Sequence, residues 1–205
     1  MTGGMGAFAP VSWATNAGLH DFSAQHITSI LTYLRLQSDI LYTGCLYIAL
    51  MYTADGFYVL EWNARPGDPE TQVVLPLMKS DLFEYIFACT NGTLGELPAF
   101  EWHDQHAACI VLCEDPYPQT PKGGQIITKI DEAKQINGII IIPAGVRKEG
   151  DVLVTAGGRV VNVISVSDSL TAAKKVANQA AEVIQFHKKV YRQDIGNRPT
   201  PEFVQ

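Results

Sequence analysis

"VLEWNARPGDPETQ", Val59 to Gln72, is the stretch on which the reading of this chain turns. Its first half continues an apolar run, and a strand there alternates its side chains. Glu61 and Asn63 then share one face, about 6.5 Å apart along it, with Leu60 and Trp62 expected on the other side, in a core. A carboxylate and an amide carbonyl on one face are hard oxygen donors suited to Mg2+, an ion that also holds nucleotide phosphates. Taken alone, Glu-x-Asn is equally the outer face of an ordinary half-exposed strand. Arg65 comes just before a turn, and Asp68-Pro69 suits the start of a short helix, with Asp68 as N-cap and Pro69 at the first helical position. An arginine beside a helix N-terminus can hold a phosphate or carboxylate; a structural pairing with Asp68 or Glu70 is the competing reading. A metal face followed by an anion-binding turn is what nucleotide-dependent ligation requires, since metals neutralise phosphate charge and the arginine positions the acceptor.

Upstream, "CLYIALMYTADGFYVLEWN" sets two apolar runs around Ala54-Asp55-Gly56, a hairpin signal. Before it, Ile27, Ile30, Leu31 and Leu34 recur at helical spacing over 23–36, behind Ser23 as a cap. At the start, Thr2-Gly3-Gly4-Met5-Gly6 is a glycine-rich loop, either one whose backbone N–H groups approach an anion or a flexible terminal segment. Downstream of the opening stretch, Pro76 ends or bends the short helix. A second helix starts at Ser80-Asp81, places Leu82, Phe83, Ile86 and Phe87 on one side, and stops at Asn91-Gly92.

The polar, proline-bearing stretch from Thr93 to Gln105 reads as a linker. Beyond it come short strands: "AACIVLC", "QIITKI", "GIIIIPAGV", "DVLVTAG" and "RVVNVISVS". A closing helix over 169–187, capped by Ser167 or Asp168, aligns Leu170, Ala173, Ala177, Ala181 and Ile184 in one stripe. The fold class expected is α+β: a first part over 1–95, a linker over 96–104, a small β-rich domain with one packed helix over 105–196, and a tail over 197–205.

Bulk properties narrow the function classes. The 205 residues carry a net charge of -6, with 47% hydrophobic and 18% charged residues, a globular balance. Lysines and arginines are scattered, so nucleic acid is not the expected partner. No apolar run is long enough to span a bilayer, and residues 1–20 lack the pattern of a signal peptide. Cys109 and Cys113 lie on one face of a strand without a CxxC pair or flanking histidine, so buried reduced thiols and a cytoplasmic location are expected.

"TGGMGAFAP", "VLEWNARPGDPETQVVLPLMKSDL", "LVTAGGRVVNVISVSDSL" and "YRQDIG" together resemble the glycinamide ribonucleotide synthetase (phosphoribosylamine–glycine ligase) family of the ATP-grasp superfamily. They stand in that family's order, and the resemblance spans nearly the whole chain, most weakly from Val11 to Asp39. It implies ATP-dependent ligation of glycine to 5-phosphoribosylamine, through an acyl phosphate that the amine attacks, in de novo purine synthesis. It further implies that Glu61 and Asn63 are the Mg2+ (or Mn2+) ligands. Arg65, in a catalytic role, and Thr2, Gly3, Gly4, Met5, Gly6 and Asp68 fall in the substrate region. Tyr191 to Gly196 becomes a closure element that packs back on the first part.

The chain departs from the family at Pro66, where phenylalanine is usual, and in length, since the family enzyme is about twice as long. The resemblance therefore implies the C-terminal part of an ATP-grasp domain followed by the family's β-rich domain, inactive alone. Exposed apolar surface would then favour self-association. A non-enzymatic paralogue, or an interaction module that kept the fold without the nucleotide-binding half, is the alternative.

Overall fold

The computed structural model describes residues 3–12, 14 and 18–197. They form an α+β structure of two compact units interleaved along the chain. One unit joins the segment up to Pro10, Asp68–Met78 and Trp102–Arg198. The other joins Val11–Gly67 and Lys79–Glu101.

The first unit is built on an apolar strand. Its elements are strand β1 (Gly6–Ala9), helix α2 (Thr71–Val74) with a 3-10 turn over Leu75–Leu77, strands β4 (His106–Glu114) and β5 (Ile126–Ile127), and helix α4 (Ile130–Lys134). Strands β6 (Ile139–Pro143), β7 (Val146–Glu149), β8 (Val152–Thr155) and β9 (Arg159–Ser167), helix α5 (Leu170–Val183) and strand β10 (Lys189–Val190) complete it. The main sheet runs β1-β4-β9-β6, with β10 pairing β4 as well; β5-β8-β7 form a smaller one.

Strand β4 lies centrally and is covered on both faces, so it reads as a continuous apolar run rather than an alternating one. Ala107, Cys109, Val111 and Cys113 pack with Val73 and Leu77 on one face. Ile110 and Leu112 pack with Ala177, Ala180, Ala181 and Ile184 of α5 on the other. Each large side chain buried there contributes roughly 1.5–3 kcal/mol of transfer free energy.

Helix α5 has the predicted alanine stripe on the sheet, but its cap is Ser169, whose Oγ accepts from the Ala172 N–H at 3.2 Å, not Ser167 or Asp168. Its C-terminal carbonyls are held by Lys189, whose Nζ donates to Ala181 O (2.9 Å), Glu182 O (3.2 Å) and Ile184 O (2.6 Å). Burial lowers the pKa of that ammonium, opposed by Glu182. Elements not expected from the pattern include helix α4, strand β10, and strand β1, which lies inside the glycine-rich opening. Four residues are too few to show a period, and β1 exists because β4, about a hundred residues on, pairs with it from Gly6↔Ile110 to Ala9↔Ala107.

The second unit comprises helix α1 (Leu19–Ser38), the hairpin of β2 (Tyr47–Thr53) and β3 (Gly56–Asn63), and helix α3 (Leu82–Asn91). Helix α1 starts earlier than its pattern suggested, with Gly18 rather than Ser23 at the N-cap position, and has no fully buried residue. The hairpin closes at Ala54-Asp55 as expected, with Thr53 opposite Gly56. Phe57 of β3 packs on Tyr52 (ring centroids 4.5 Å apart) and on Phe22 of α1 (5.5 Å). Asp81 caps α3, accepting from the Phe83 N–H at 2.8 Å, and Gly92 at φ 75° ends it.

Burial corrects one expectation here. Leu60 and Trp62 are exposed, 60% and 36%, instead of sitting in a core. Strand pairing jumps from Leu50↔Val59 to Ala49↔Glu61, so Leu60 is an extra residue that breaks the assumed alternation. Among the described residues of this unit, Tyr85 and Ala88 are the buried apolar side chains.

All four cysteines are free, Cys45 exposed and Cys89 half-buried, whereas Cys109 and Cys113 are buried. Desolvation, with the Asp68 and Glu70 charges adding to it, pushes the Cys109 thiol up to about 12. Burial pushes Cys113 up to about 11 against the opposing pull of Arg159. The thiolate is the reactive form, so iodoacetamide at pH 8 is expected to label Cys45 and Cys89 in the native chain and all four only in denaturant, as read by peptide mass spectrometry. The ordinary thiol pKa is 9.0, below both folded values, so the unfolded chain ionises first. Stability contributed by these thiols is therefore intact below pH 9 and is lost as pH rises toward 11 and 12.

Candidate functional site

The sequence-predicted residues fall on two local constellations, one in each unit. In the second unit, β3 carries Glu61 and Asn63 at its end, opposite Ala49 and Tyr47 of β2. The two side chains do share a face: Asn63 Nδ2 donates to Glu61 Oε1 at 3.0 Å. That bond engages one carboxylate oxygen and the amide nitrogen. The oxygens it does not engage, Glu61 Oε2 and Asn63 Oδ1, are of the kind a hard divalent cation takes. The pair supplies at most part of a coordination shell of six, and among the described residues no group of three or more His, Cys, Asp or Glu side chains is placed to hold a metal ion.

Arg65 follows in the bend after β3, exposed, with Nη1 donating to Pro66 O at 2.8 Å. Asp68 accepts from Arg159 Nη2 at 2.9 Å through Oδ2 and from Gln72 Nε2 at 2.9 Å through Oδ1.

In the first unit, the "GDPE" turn is fastened to β9. Arg159 Nη1 also donates to the Asp68 backbone oxygen at 2.8 Å, so one guanidinium grips both the side chain and the main chain of Asp68. With its carboxylate so engaged, Asp68 does not cap α2. The helix begins at Thr71, after a cis Asp68-Pro69 bond, with Glu70 at the N-cap position and no side-chain cap.

The glycine-rich opening is bound to the same unit. Tyr117 OH donates to Gly3 O at 3.1 Å, and Val111 N–H donates to Met5 O at 3.1 Å. Gly4 sits at φ +74°, and a Cβ there would lie 2.9 Å from Tyr117 Oη and 3.2 Å from Arg159 Nη1. Gly6 is tighter still, since a Cβ would come within 2.6 Å of Ile195 Cγ1 and 2.7 Å of the Cys109 carbonyl oxygen. Only a residue without a side chain lets the chain pass there. Thr2 lies outside the described residues.

Ile195 belongs to "YRQDIG", which returns across β1. It is buried, and Lys174 Nζ donates to Gly196 O at 3.1 Å. The return leaves a cleft of about 290 Å3 walled by Gly6, Ala7, Phe8, Glu70 and the segment Arg192, Asp194 and Ile195. Arg192 Nε donates to Asp194 Oδ1 at 2.8 Å, which fixes the guanidinium on that wall. Parts of all four stretches quoted from the sequence thus meet within one unit, through Arg159 on Asp68 and Ile195 on Gly6. Sequence reasoning passed over Arg159, Arg192 and Glu70. The available signals were a charged residue opening an otherwise apolar strand, and an Arg-x-Asp pair in a stretch read only as packing.

Comparison with known proteins follows this arrangement. Residues 1–71 match the family model described as phosphoribosylglycinamide synthetase, ATP-grasp (A) domain, and residues 107–198 match phosphoribosylglycinamide synthetase, C domain. Curated phosphoribosylamine–glycine ligases are 40% identical over 195 residues in Chlorobaculum tepidum and 37% identical over 195 residues in Corynebacterium ammoniagenes. Each alignment covers 95% of this chain and 45% of the relative, so the chain spans less than half the length of the relatives it matches. A crystal structure of phosphoribosylamine–glycine ligase from Thermotoga maritima superposes with a TM-score of 0.76 at 30% identity, over 95% of this chain and 46% of that one. By its two matched domains, the chain belongs to the phosphoribosylglycinamide synthetase (phosphoribosylamine–glycine ligase) family of ATP-grasp proteins, as a partial member.

Proposed function

We propose that this chain is the carboxyl-terminal part of an ATP- and Mg2+-dependent ligase that joins glycine to 5-phosphoribosylamine in de novo purine synthesis, and that it does not turn over alone. The observation that carries the reading is the Glu61–Asn63 pair, two oxygen donors on one strand face in a chain whose relatives are named for this ligation. The donor set fits Mg2+ or Mn2+ as part of a larger shell. Such an ion, when bound, neutralises phosphate charge during transfer.

Glu61 supplies the negative charge of the pair. Asn63 holds the Glu61 carboxylate through Nδ2 and offers its amide oxygen. Arg65, with no carboxylate partner among the described residues, is assigned to an anionic group of a substrate, the catalytic positioning that a guanidinium performs. In the first unit, Gly3 to Gly6 and the cleft walled by Arg192 are assigned to substrate. Arg192 is the group there suited to a phosphate, and Asp68 shapes the turn through Arg159. In the ligation itself, glycine's carboxylate takes the terminal phosphoryl group and ADP leaves. The amine then attacks the carbonyl and phosphate leaves. Four free thiols support a reducing compartment, and the cytoplasm is the proposed location. No helix among the described residues is long and apolar enough to cross a membrane.

A thermal-shift measurement with ATP and Mg2+ on the isolated chain tests the incompleteness of the site. The expected shift is below about 1 °C, because stabilisation follows ligand occupancy and few nucleotide contacts are present. A rise of several degrees that Glu61→Ala abolishes would show a nucleotide site already complete in these 205 residues.

A further inference from the structure

The cleft of about 290 Å3 in the first unit is lined by side chains of both charges. Glu70 reaches it from the N-cap position of α2, and Arg192 and Asp194 from the segment after β10. Arg192 Nε donates to Asp194 Oδ1 at 2.8 Å and Nη2 to Asp194 Oδ2 at 2.5 Å, and neither bond engages Nη1. Glu70 is half-buried and makes no cap to its own helix. Arg192 pairs with Asp194 and Arg159 with Asp68, so neither guanidinium neutralises Glu70.

The backbone that presents this unengaged carboxylate is nevertheless fixed. Asp68, two residues earlier, is held by Arg159 through both its side chain and its main chain. Gly6 and Phe8 of the cleft are held in register on β4, opposite Ile110 and Ala108. A carboxylate without a protein partner on a fixed turn is suited to proton transfer, because its position is set before the ligand arrives.

Opposite charges that share a cleft without pairing fit a ligand that carries an anion and an amine. Both substrates of the proposed ligation answer that description, and only one suits the cleft. Glycine's carboxylate is the nucleophile toward ATP, and a guanidinium clamped on it would withdraw the electrons it needs. Its amine gives up no proton in the ligation, and glycine would leave most of the cleft empty. Phosphoribosylamine carries a phosphate and an amine at the two ends of a ribose, and that amine must lose a proton as it becomes an amide.

We propose that Glu70 is a catalytic residue of the second half of the reaction: it accepts a hydrogen bond from the amine of phosphoribosylamine, whose phosphate Arg192 holds, and takes the proton that the nitrogen releases. This role rests on the ligase reading above. The amine lone pair attacks the carbonyl carbon of the glycyl phosphate and the C–N bond forms. The C–O bond to the phosphoryl group breaks, and phosphate leaves with that electron pair. The nitrogen, positively charged after attack, passes one proton to a Glu70 oxygen and becomes the neutral amide. Asp194 on the same cleft is exposed, so the proton has a route to water.

The test uses a chimaera in which these 205 residues replace the matching part of the Chlorobaculum tepidum ligase, and it separates the two halves of the reaction. Formation of glycinamide ribonucleotide reads both halves. Hydroxylamine, which has no phosphate for Arg192 to hold, traps the glycyl phosphate as glycine hydroxamate and reads the first half alone. In Glu70→Gln, ribonucleotide formation is expected to fall about a hundredfold or more, with hydroxamate formation and the KM for glycine changed less than about twofold. Glu70→Asp, a carboxylate on a shorter stem, should recover about tenfold of that loss. Arg192→Gln should raise the KM for phosphoribosylamine about tenfold or more and leave hydroxamate formation in place. Equal loss of both products in Glu70→Gln would overturn the proposal, as would ribonucleotide formation within about threefold of the parent or a KM for glycine raised in step with the loss. In each of those cases hydroxamate from the parent chimaera leaves the ligase reading standing. A folded parent chimaera that forms neither product would overturn that reading and the role of Glu70 with it.

Discussion

Glu61→Gln, in a ligase completed with an amino-terminal half, is expected to lower kcat/KM by about a hundredfold or more, while unfolding stability changes by less than about 0.5 kcal/mol. The substitution keeps the size and the hydrogen-bonding length of the side chain and removes one charge. Glu61 is exposed, and its one observed hydrogen bond is to Asn63 Nδ2 at 3.0 Å, so folding gains little from the carboxylate. Charge at this point matters only when a cation and phosphates are present. Asn63→Ala should act in the same direction, since it removes both an oxygen donor and the group that holds Glu61. Activity unchanged in both variants would contradict the metal assignment, and a matching loss of stability would mean that the pair is structural.

The largest effect on stability is expected in the first unit, at Leu112→Ala. Leu112 is fully buried on β4, opposite Val161 of β9, in the cluster with Ile184 and the alanines of α5. Neighbours fixed in a sheet and against a helix cannot collapse into the space left, so the cost is about 2–5 kcal/mol. Leu60→Ala, the same chemical change at an exposed position in the second unit, should cost less than about 0.5 kcal/mol. With two units, a single unfolding transition is not guaranteed. Labelling of Cys109 and Cys113 during a urea titration reports on the first unit by itself. Leu112→Ala should bring that labelling to much lower urea, and Leu60→Ala should not move it. Equal effects would mean that burial of Leu112 contributes nothing special.

Local chemistry was legible in the sequence. The Ala54-Asp55-Gly56 signal marked the hairpin, which closes at Ala54-Asp55, Asp81 and Gly92 bounded α3, and the alanine stripe of α5 met the sheet, because turn, cap and period signals act over a few residues. Glu61 and Asn63 were placed on one face, and they are hydrogen-bonded there. What stayed hidden depends on distant partners. Strand β1 has no period to show and is defined by β4. Asp68 looked like a cap because the cap motif is local, but Arg159, far along the chain, takes its carboxylate. Leu60 and Trp62 were assigned to a core on the assumption that an apolar strand face is covered, and a bulge and an uncovered hairpin defeat that assumption. The cleft at Arg192 forms only when the end of the chain returns to Gly6 and Phe8, so no window of sequence contains it.

The account is tested most directly by a chimaera in which these 205 residues replace the matching carboxyl-terminal part of the Chlorobaculum tepidum ligase, assayed for ADP formation with glycine, 5-phosphoribosylamine, ATP and Mg2+. The predicted result is turnover that requires both glycine and phosphoribosylamine, is absent from the isolated chain, and falls about a hundredfold or more in Glu61→Gln. A folded chimaera that forms no ADP beyond background, or one whose turnover is indifferent to Glu61, would contradict it.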